Sequence, residues 1–245
     1  MPEHWSVRRL KYVVSFTGGG TPSKANASFW SGNIPWVSPK DMTRARLNDT
    51  VDHISNDAVA TSAVRIIAPG AVLVVVRSGI LRRTIPVAIN SVPMALNQDM
   101  KALSPNPRFA NSDYLRLLIQ GNQPFLLKEW TKQGATVESI EHGLMANSRL
   151  PIPPLSEQTA IACFIEHADR RIRGSTQSAR RFVELLNEFR TGLIADVVTG
   201  KLDVREAAAK LSDVDSVSAG GRDGTIQVRS VLHATEPDIA KGAVR

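Results

Sequence analysis

A proline-rich run, Leu150-Pro-Ile-Pro-Pro-Leu155, gives way at Ser156-Glu157-Gln158 to a long segment without proline and with a heptad pattern. Stepping by four and three from Ile161 lands on Ile165, Ala168, Ile172, Ser175, Ala179, Phe182, Leu186, Phe189, Leu193 and Asp196, apolar everywhere except Ser175 and Asp196. Apolar residues recurring in this way form a narrow seam along one side of an α-helix. Ser156 is the expected N-cap, Glu157 lies in the first turn where the helix dipole favours an anion, and Gly200 is the expected stop. At about 1.5 Å per residue such a helix is roughly 60 Å long, more than a domain of this size needs for its own core. The seam is therefore expected to face another helix. The competing use is a helix folded back on its own globular part, for which Phe164 and Leu185 beside the seam are available.

Ahead of the junction the chain is basic. Residues 1–155 carry 17 Lys/Arg against 10 Asp/Glu, whereas 156–200 carry 6 and 6 and 201–245 carry 7 and 7, so the net charge of +7 belongs to the first segment. Excess positive charge confined to one folded unit points to a polyanion such as nucleic acid, the alternative being a basic solvated surface. The 245 residues, 42% hydrophobic, suffice for one full core plus an appendage. Cys163 is the single cysteine, which excludes internal disulfides and cysteine-based zinc sites and fits a reducing compartment. No window approaches the roughly 20 apolar residues of a membrane span, and Met-Pro-Glu-His-Trp at the start is no secretory leader. The expectation is a cytoplasmic protein with no membrane association.

Turn signals and β-branched runs alternate through the first segment. Ile34–Val37, Val64–Ile67, Ala71–Val76, Ile85–Ile89 and Gly134–Val137 read as short strands, with Pro69-Gly70 turning between two of them. Ser112–Gly121 has a cap, an apolar face and a terminal glycine, and Pro124–Trp130 reads as a second helix. The fold class is α+β: a strand-rich domain over 1–155, a long coiled-coil-forming helix over 156–200, and a helix-end segment and flexible tail over 201–245.

Polar chemistry concentrates in the loops. Thr17-Gly-Gly-Gly-Thr-Pro-Ser23 lacks the Gly-Lys-Ser/Thr ending of a phosphate-binding loop and reads as a tight loop that lets backbone approach another surface. Thr21 and Ser23 in that loop, Lys40, Arg44 and Arg46 after one strand, Arg77, Ser78, Arg82 and Arg83 after another, and Lys132 are the candidates for nucleic-acid contact. Cations on loops suit phosphate oxygens and, for one or two arginines, the bidentate edge of guanine. A solvated surface is the alternative for each.

Little in the sequence points to catalysis. His4, His53, His142, His167 and His233 fall at no metal-ligand spacing, so no metal site is expected. Asp99-Met-Lys101 has the Asp-x-Lys form of a nuclease centre without an upstream acidic partner on a strand. Asn106-Pro-Arg-Phe109 resembles the Asn-Pro-Pro-Phe signature of adenine methyltransferases but lacks its second proline and any glycine-rich cofactor strand; it reads as a turn.

Several blocks, in order, resemble the type I restriction-modification specificity subunits. They are Thr17–Ser23, Phe29-Trp-Ser-Gly-Asn-Ile-Pro-Trp-Val-Ser38 with Lys40-Asp41, Pro69-Gly-Ala-Val-Leu73 with Arg77-Ser-Gly79, Ala88-Ile-Asn90, Leu96-Asn-Gln-Asp99, Gly134–Val137, Leu150–Gln158, and Arg190–Ile194 through Val198–Arg205. Together they span about residues 5 to 206. The resemblance implies a target recognition domain that binds one half of a bipartite site in double-stranded DNA, and a helix that serves as ruler and dock for methyltransferase subunits. Catalysis would belong to the partners: methyltransferase (M) subunits that carry S-adenosylmethionine and methylate adenine, and a motor-nuclease (R) subunit. No cofactor is expected on this chain.

Family members usually carry two recognition domains and two such helices, and this chain reads as a half-length form. Two copies joined along Ile161, Ile165, Ala168, Ile172, Ala179, Phe182, Leu186, Phe189 and Leu193 would rebuild the clamp and read a palindromic, interrupted site. Pairing with a different half subunit and a remnant without function are the alternatives. Arg170, Arg171, Arg173, Arg180 and Arg181 sit mid-helix, either near intervening phosphates or on a solvated face. Two further classes stay open: an enzyme relying on Asp99 or Asn106, and a helical scaffold with an incidental basic surface.

Overall fold

The computed structural model describes residues 1–131 and 137–205. Its elements are β1 (Ser6–Arg9), β2 (Val14–Gly18), β3 (Ile34–Val37), β4 (Arg46–Leu47), β5 (Asp52–Ile54), α1 (Asn56–Thr61), β6 (Ile66–Ile67), β7 (Val72–Val75), β8 (Val87–Asn90), β9 (Met94–Leu96), β10 (Met100–Pro105), α2 (Ser112–Gly121), α3 (Gln123–Trp130), α4 (His142–Asn147), β11 (Arg149–Ile152) and α5 (Leu155–Val198). By compactness the chain divides into two units, Met1–Gly174 and the stretch that begins at Ser175. α5 runs through that division.

The uninterrupted apolar run at 71–76 decides the layering. A strand with no polar face must be covered on both sides, and β7 lies inside a five-stranded sheet of order β2-β10-β7-β8-β4. All four of its residues are buried. Val72 and Val74 enter the core shared with α2, α3, α4 and β11, where Leu115, Ile119, Trp130 and Leu150 are packed. Leu73 and Val75 enter a second core against Val37, Ile67, Met94 and Leu96 of a four-stranded sheet of order β5-β3-β9-β6. The outer face of that sheet carries a third cluster, Trp36, Ile54, Ala58 and Val64, with Phe29 and Trp30 against it. Pairing is antiparallel throughout except β3 with β9 and β4 with β8, which are parallel. α2, α3 and α4 cover the five-stranded sheet, the short α1 sits on the outer face of the other, and the result is an α+β fold.

The strand expected at Ile34–Val37 and the helix expected at Ser112–Gly121 are found with those bounds, and Pro124–Trp130 becomes Gln123–Trp130. Three other expected strands are shorter, at Ile66–Ile67, Val72–Val75 and Val87–Asn90. Of the expected strand Gly134–Val137 only Val137 is described, in a bend; Lys132 and the 207–245 tail lie outside the described residues.

β1 pairs antiparallel with β11, bringing the start of the chain to the junction before α5. There the Glu157 carboxylate accepts from Trp5 Nε1 at 2.9 Å and contacts His4 Nε2 at 2.7 Å. Ser156 is not the cap: α5 begins at Leu155, and its first turn closes when the Gln158 amide donates to the Pro154 carbonyl. The helix stops where expected, with Gly200 in the left-handed region at φ 73°.

Candidate nucleic-acid interface

The glycine-rich loop is held by backbone. Gly19 lies so close to the turn after β9 that a Cβ there would stand 1.9 Å from the Asn97 carbonyl oxygen. Gly20 donates to the Leu96 carbonyl at 2.8 Å, and its own carbonyl accepts from Trp36 Nε1 at 3.0 Å. Trp30, stacked edge-on against Trp36 with 5.0 Å between centroids, donates its indole N–H to the Ser23 carbonyl at 3.2 Å. The two tryptophans of the Phe29–Ser38 block thus suspend the loop that carries Thr21 and Ser23, both exposed.

From this loop a polar chain runs across the strand ends. Thr21 Oγ1 bonds Gln98 Oε1, Gln98 Nε2 lies 3.5 Å from Asp99 Oδ2, and Arg77 Nε donates to Asp99 Oδ1 at 2.6 Å. The Ser78 amide donates to the Glu138 carbonyl at 3.1 Å, and the Glu138 carboxylate accepts from Arg82 Nε at 3.4 Å. Arg83 is exposed beside it. Lys40, after β3, pairs with Asp52 at 2.8 Å, and that hydrogen bond raises its pKa. Because β3 and β9 are parallel and β7 ends at Val75 beside the start of β10, all these groups gather at one end of the two sheets. Thr21, Lys40, Arg77, Ser78 and Arg82 are therefore brought together by topology.

Arg46 is not among them. It pairs with Asp113 in the first turn of α2, whose neighbour Ser112 bonds the Gly70 carbonyl at the start of β7, the opposite end from Arg77. Arg44 is exposed on the approach to β4.

The ion pairs at this end are open ones: the side chains of Arg77 and Arg82 are 53% and 68% exposed. Surface pairs of this kind contribute about 0–1 kcal/mol, so these guanidinium groups can part from their carboxylates at small cost. Asp99 is occupied as the partner of Arg77, and Asn106 accepts the Arg108 amide at 3.0 Å in a turn. Among the described residues no group of three His, Cys, Asp or Glu is placed to hold a metal ion, and no helix is long and apolar enough to cross a membrane.

Three residues of this region were not among the candidate contacts, although Gln98 lies in the Leu96–Asp99 block and Lys101 closes the Asp99-Met-Lys101 tripeptide. Gln98 and Glu138 orient Thr21 and Arg82. Lys101, on β10, is pushed down in pKa by burial and depresses His142, whose own partial burial acts first. A lysine on an alternating strand reads as solvent-facing, so its burial had no local signal.

Along α5 the seam residues differ. Ile161 is half-buried and packs on the core of the first unit. Ala168 is half-buried, and Ile165 is 39% exposed. Ile172, Ala179, Phe182, Leu186, Phe189 and Leu193 are exposed. Ala162 and Gln158, outside the seam, are the buried residues of the helix. The start of the helix thus serves its own domain. Of Phe164 and Leu185, at 75% and 50% exposed, neither covers a core. The five mid-helix arginines are exposed, with Arg173 on Asp169 at 2.7 Å.

A family model, the type I restriction modification DNA specificity domain, matches residues 2–179. The specificity subunit of the type I restriction enzyme EcoR124I/EcoR124II of Escherichia coli is 36% identical over 179 residues, which is 73% of this chain and 44% of that protein. The MjaIX specificity subunit of Methanocaldococcus jannaschii is 27% identical over 175 residues, 69% and 39% of the two chains. Among solved structures, one described as the structural basis of complex assembly and conformational transition of the type I R-M system aligns with a TM-score of 0.65 at 18% identity, over 80% of this chain and 46% of that one. The HsdS subunit of Thermoanaerobacter tengcongensis aligns with a TM-score of 0.57 at 19% identity, over 73% and 40%. These two share the fold. The chain spans about half the length of the curated relatives it matches.

Proposed function

The chain belongs to the family of type I restriction-modification DNA specificity domains, and from that premise we propose that it reads double-stranded DNA for a methyltransferase without catalysing a reaction itself. The observation that carries this is the gathering of Thr21, Lys40, Arg77, Ser78 and Arg82 at one end of two sheets, on three loops whose side chains are ion-paired or hydrogen-bonded. Cations fixed by neighbouring carboxylates present directed N–H groups, which suits phosphate oxygens and guanine edges. Arg83, exposed beside Arg82, extends the same basic surface, and Lys132, outside the described residues, stays a candidate on sequence alone.

The exposed apolar side chains of α5 supply the assembly surface. Two copies packed along it, related by a two-fold axis, present two identical readers to a palindromic, interrupted site. M subunits dock on the same helical region and bring S-adenosylmethionine; an R subunit joins the complete complex. The cytoplasm, where DNA and these partners meet, is the proposed location.

The test is light-scattering mass of the full chain, alone and with the M subunit of its own genome, combined with selection from random duplexes. A dimer whose complex enriches a two-part palindrome is the expected result. A monomer that joins no M subunit and enriches no sequence overturns the reading and leaves a scaffold. An enzymatic reading is separated by activity of the isolated chain that Asp99→Ala abolishes.

A further inference from the structure

We propose that Arg116 and Glu166, together with Gln158, are positioning residues that fix the direction in which α5 leaves the recognition domain, and that this direction selects the spacing between the two half-sites. The spacing part rests on the DNA-reading role proposed above. The attachment itself is read directly from the contacts.

Gln158 is fully buried in the first turn of α5. Its Oε1 accepts the Asn111 amide at 2.9 Å, and its Nε2 donates to the carbonyls of Phe109 at 2.7 Å and Pro153 at 2.9 Å. One turn on, Ile161 and Ala162 pack against the domain. At the third turn Glu166 meets Arg116 of α2, with 3.6 Å between Nη2 and Oε1. No later residue of α5 within the first unit is buried.

Apolar packing is non-directional, so Ile161 and Ala162 alone leave the helix free to roll and tilt. The hydrogen bonds of Gln158 are directional, and the Arg116–Glu166 ion pair adds a second tether eight residues on, about 12 Å along the axis; two such points define a line where one defines a pivot. Arg116 is also an expensive way to make a contact. It is 5% exposed, its Nη1 is occupied by Gln120 at 2.7 Å on the same helix, and its Nε is buried without an acceptor. Leu115 and Ile119 beside it are fully buried, so an apolar residue there would pack without the desolvation penalty. A buried charge retained under such conditions contributes geometry rather than stability.

Adding one base pair to the gap between half-sites displaces the second by about 3.4 Å and turns it by roughly 35°. A reader rigidly oriented on its helix accepts one such geometry, and a reader on a swivel accepts several.

Full-length Glu166→Ala and Arg116→Met chains, each with the M subunit, are offered duplexes carrying the half-sites selected by the unmodified chain, with gaps differing by one base pair. The unmodified chain is expected to favour one gap by at least about tenfold, which is about 1.4 kcal/mol. The variants keep the half-site sequence while that preference falls below about threefold. Glu166→Gln, which retains an oxygen facing Arg116, restores most of it. Variants that bind the half-sites and keep the full gap preference overturn the proposal.

A second measurement works without DNA. Spin labels at Asp57→Cys and Arg171→Cys in a Cys163→Ser chain, diluted with unlabelled chain, report the spread of helix directions. A wider distance distribution in Glu166→Ala is expected; an unchanged one overturns the latch even where Arg116→Met does not fold. Failure of the unmodified chain to enrich any duplex removes the DNA-reading role, and the label distances then still decide the latch.

Discussion

The two ends of α5 are the same secondary structure put to opposite uses. From Leu155 to Glu166 the helix is held by a buried glutamine, a buried alanine and an ion pair. From Phe182 to Leu193 it displays large apolar side chains, among them Phe182 at 62%, Leu186 at 50% and Phe189 at 68% exposed. Polarity therefore does not sort the interior from the surface here. A polar side chain is buried where a directed bond is needed, and apolar ones are exposed where, in the proposed assembly, a partner supplies the cover. Exposed large apolar side chains of this kind are what the proposed association surface requires.

The comparison breaks most sharply at the exposed end. Phe182→Asp with Phe189→Asp is expected to weaken self-association at least about a thousandfold, more than about 4 kcal/mol, with the melting temperature of the domain unchanged. Sedimentation at graded concentrations measures it; a dimer of undiminished affinity means the seam lies elsewhere. At the anchored end the pattern inverts. Gln158→Leu strands the Asn111 amide and the Phe109 and Pro153 carbonyls, at a cost of roughly 2–4 kcal/mol, read as a fall of about 4–16 °C in thermal unfolding. Its self-association stays intact at temperatures below unfolding.

A third substitution tests whether either end carries the reading surface. Arg77→Ala is expected to flatten the dependence of log K on log salt by about 0.9, one phosphate contact. Arg46→Ala, tied to Asp113 at the other end of the strands, leaves that slope unchanged. Equal slopes in all three proteins exclude Arg77 from phosphate contact.

The smallest effect is a pH dependence at the anchor. The indole N–H of Trp5, and after it His4, hold the Glu157 carboxyl below its ordinary 4.5. A folded-state pKa that is depressed contributes stability above the unfolded value, and that contribution disappears as pH falls through the folded value. The melting temperature of the unmodified chain is thus expected to exceed that of Glu157→Gln near neutrality and to converge with it on acidification below about pH 4.5. A difference that does not change with pH removes the ionised contact.

Much of this architecture is legible in the sequence where periodicity and burial coincide. The 71–76 run, the Ile34–Val37 strand and the Ser112–Gly121 helix each carry a pattern that only one environment satisfies. β4 and β6, at two residues each, are too short to have a period, and β1 alternates half-buried serine and arginine with exposed residues. Their existence depends on partners far along the chain, such as Arg149–Ile152 for β1. The candidate interface divides in the same way. Arginines after strands are visible locally, but that Arg77 meets Asp99 while Arg46 meets Asp113 is decided by topology. Gln158 is the clearest loss: in a helical first turn it reads as solvated, and its burial comes from carbonyls at 109 and 153.

The two indole bonds to Gly20 and Ser23 have a consequence for how such a reader changes its target. Both end on main-chain carbonyl oxygens, which every amino acid carries. These bonds fasten the loop without reference to the identity of Ser23 or Lys24, whereas Thr21 adds a side-chain bond to Gln98. Ser23 and Lys24 are thereby released from the duty of folding, and on the proposed DNA-reading role a new recognition sequence is open to selection or design by rewriting them on an unaltered mount.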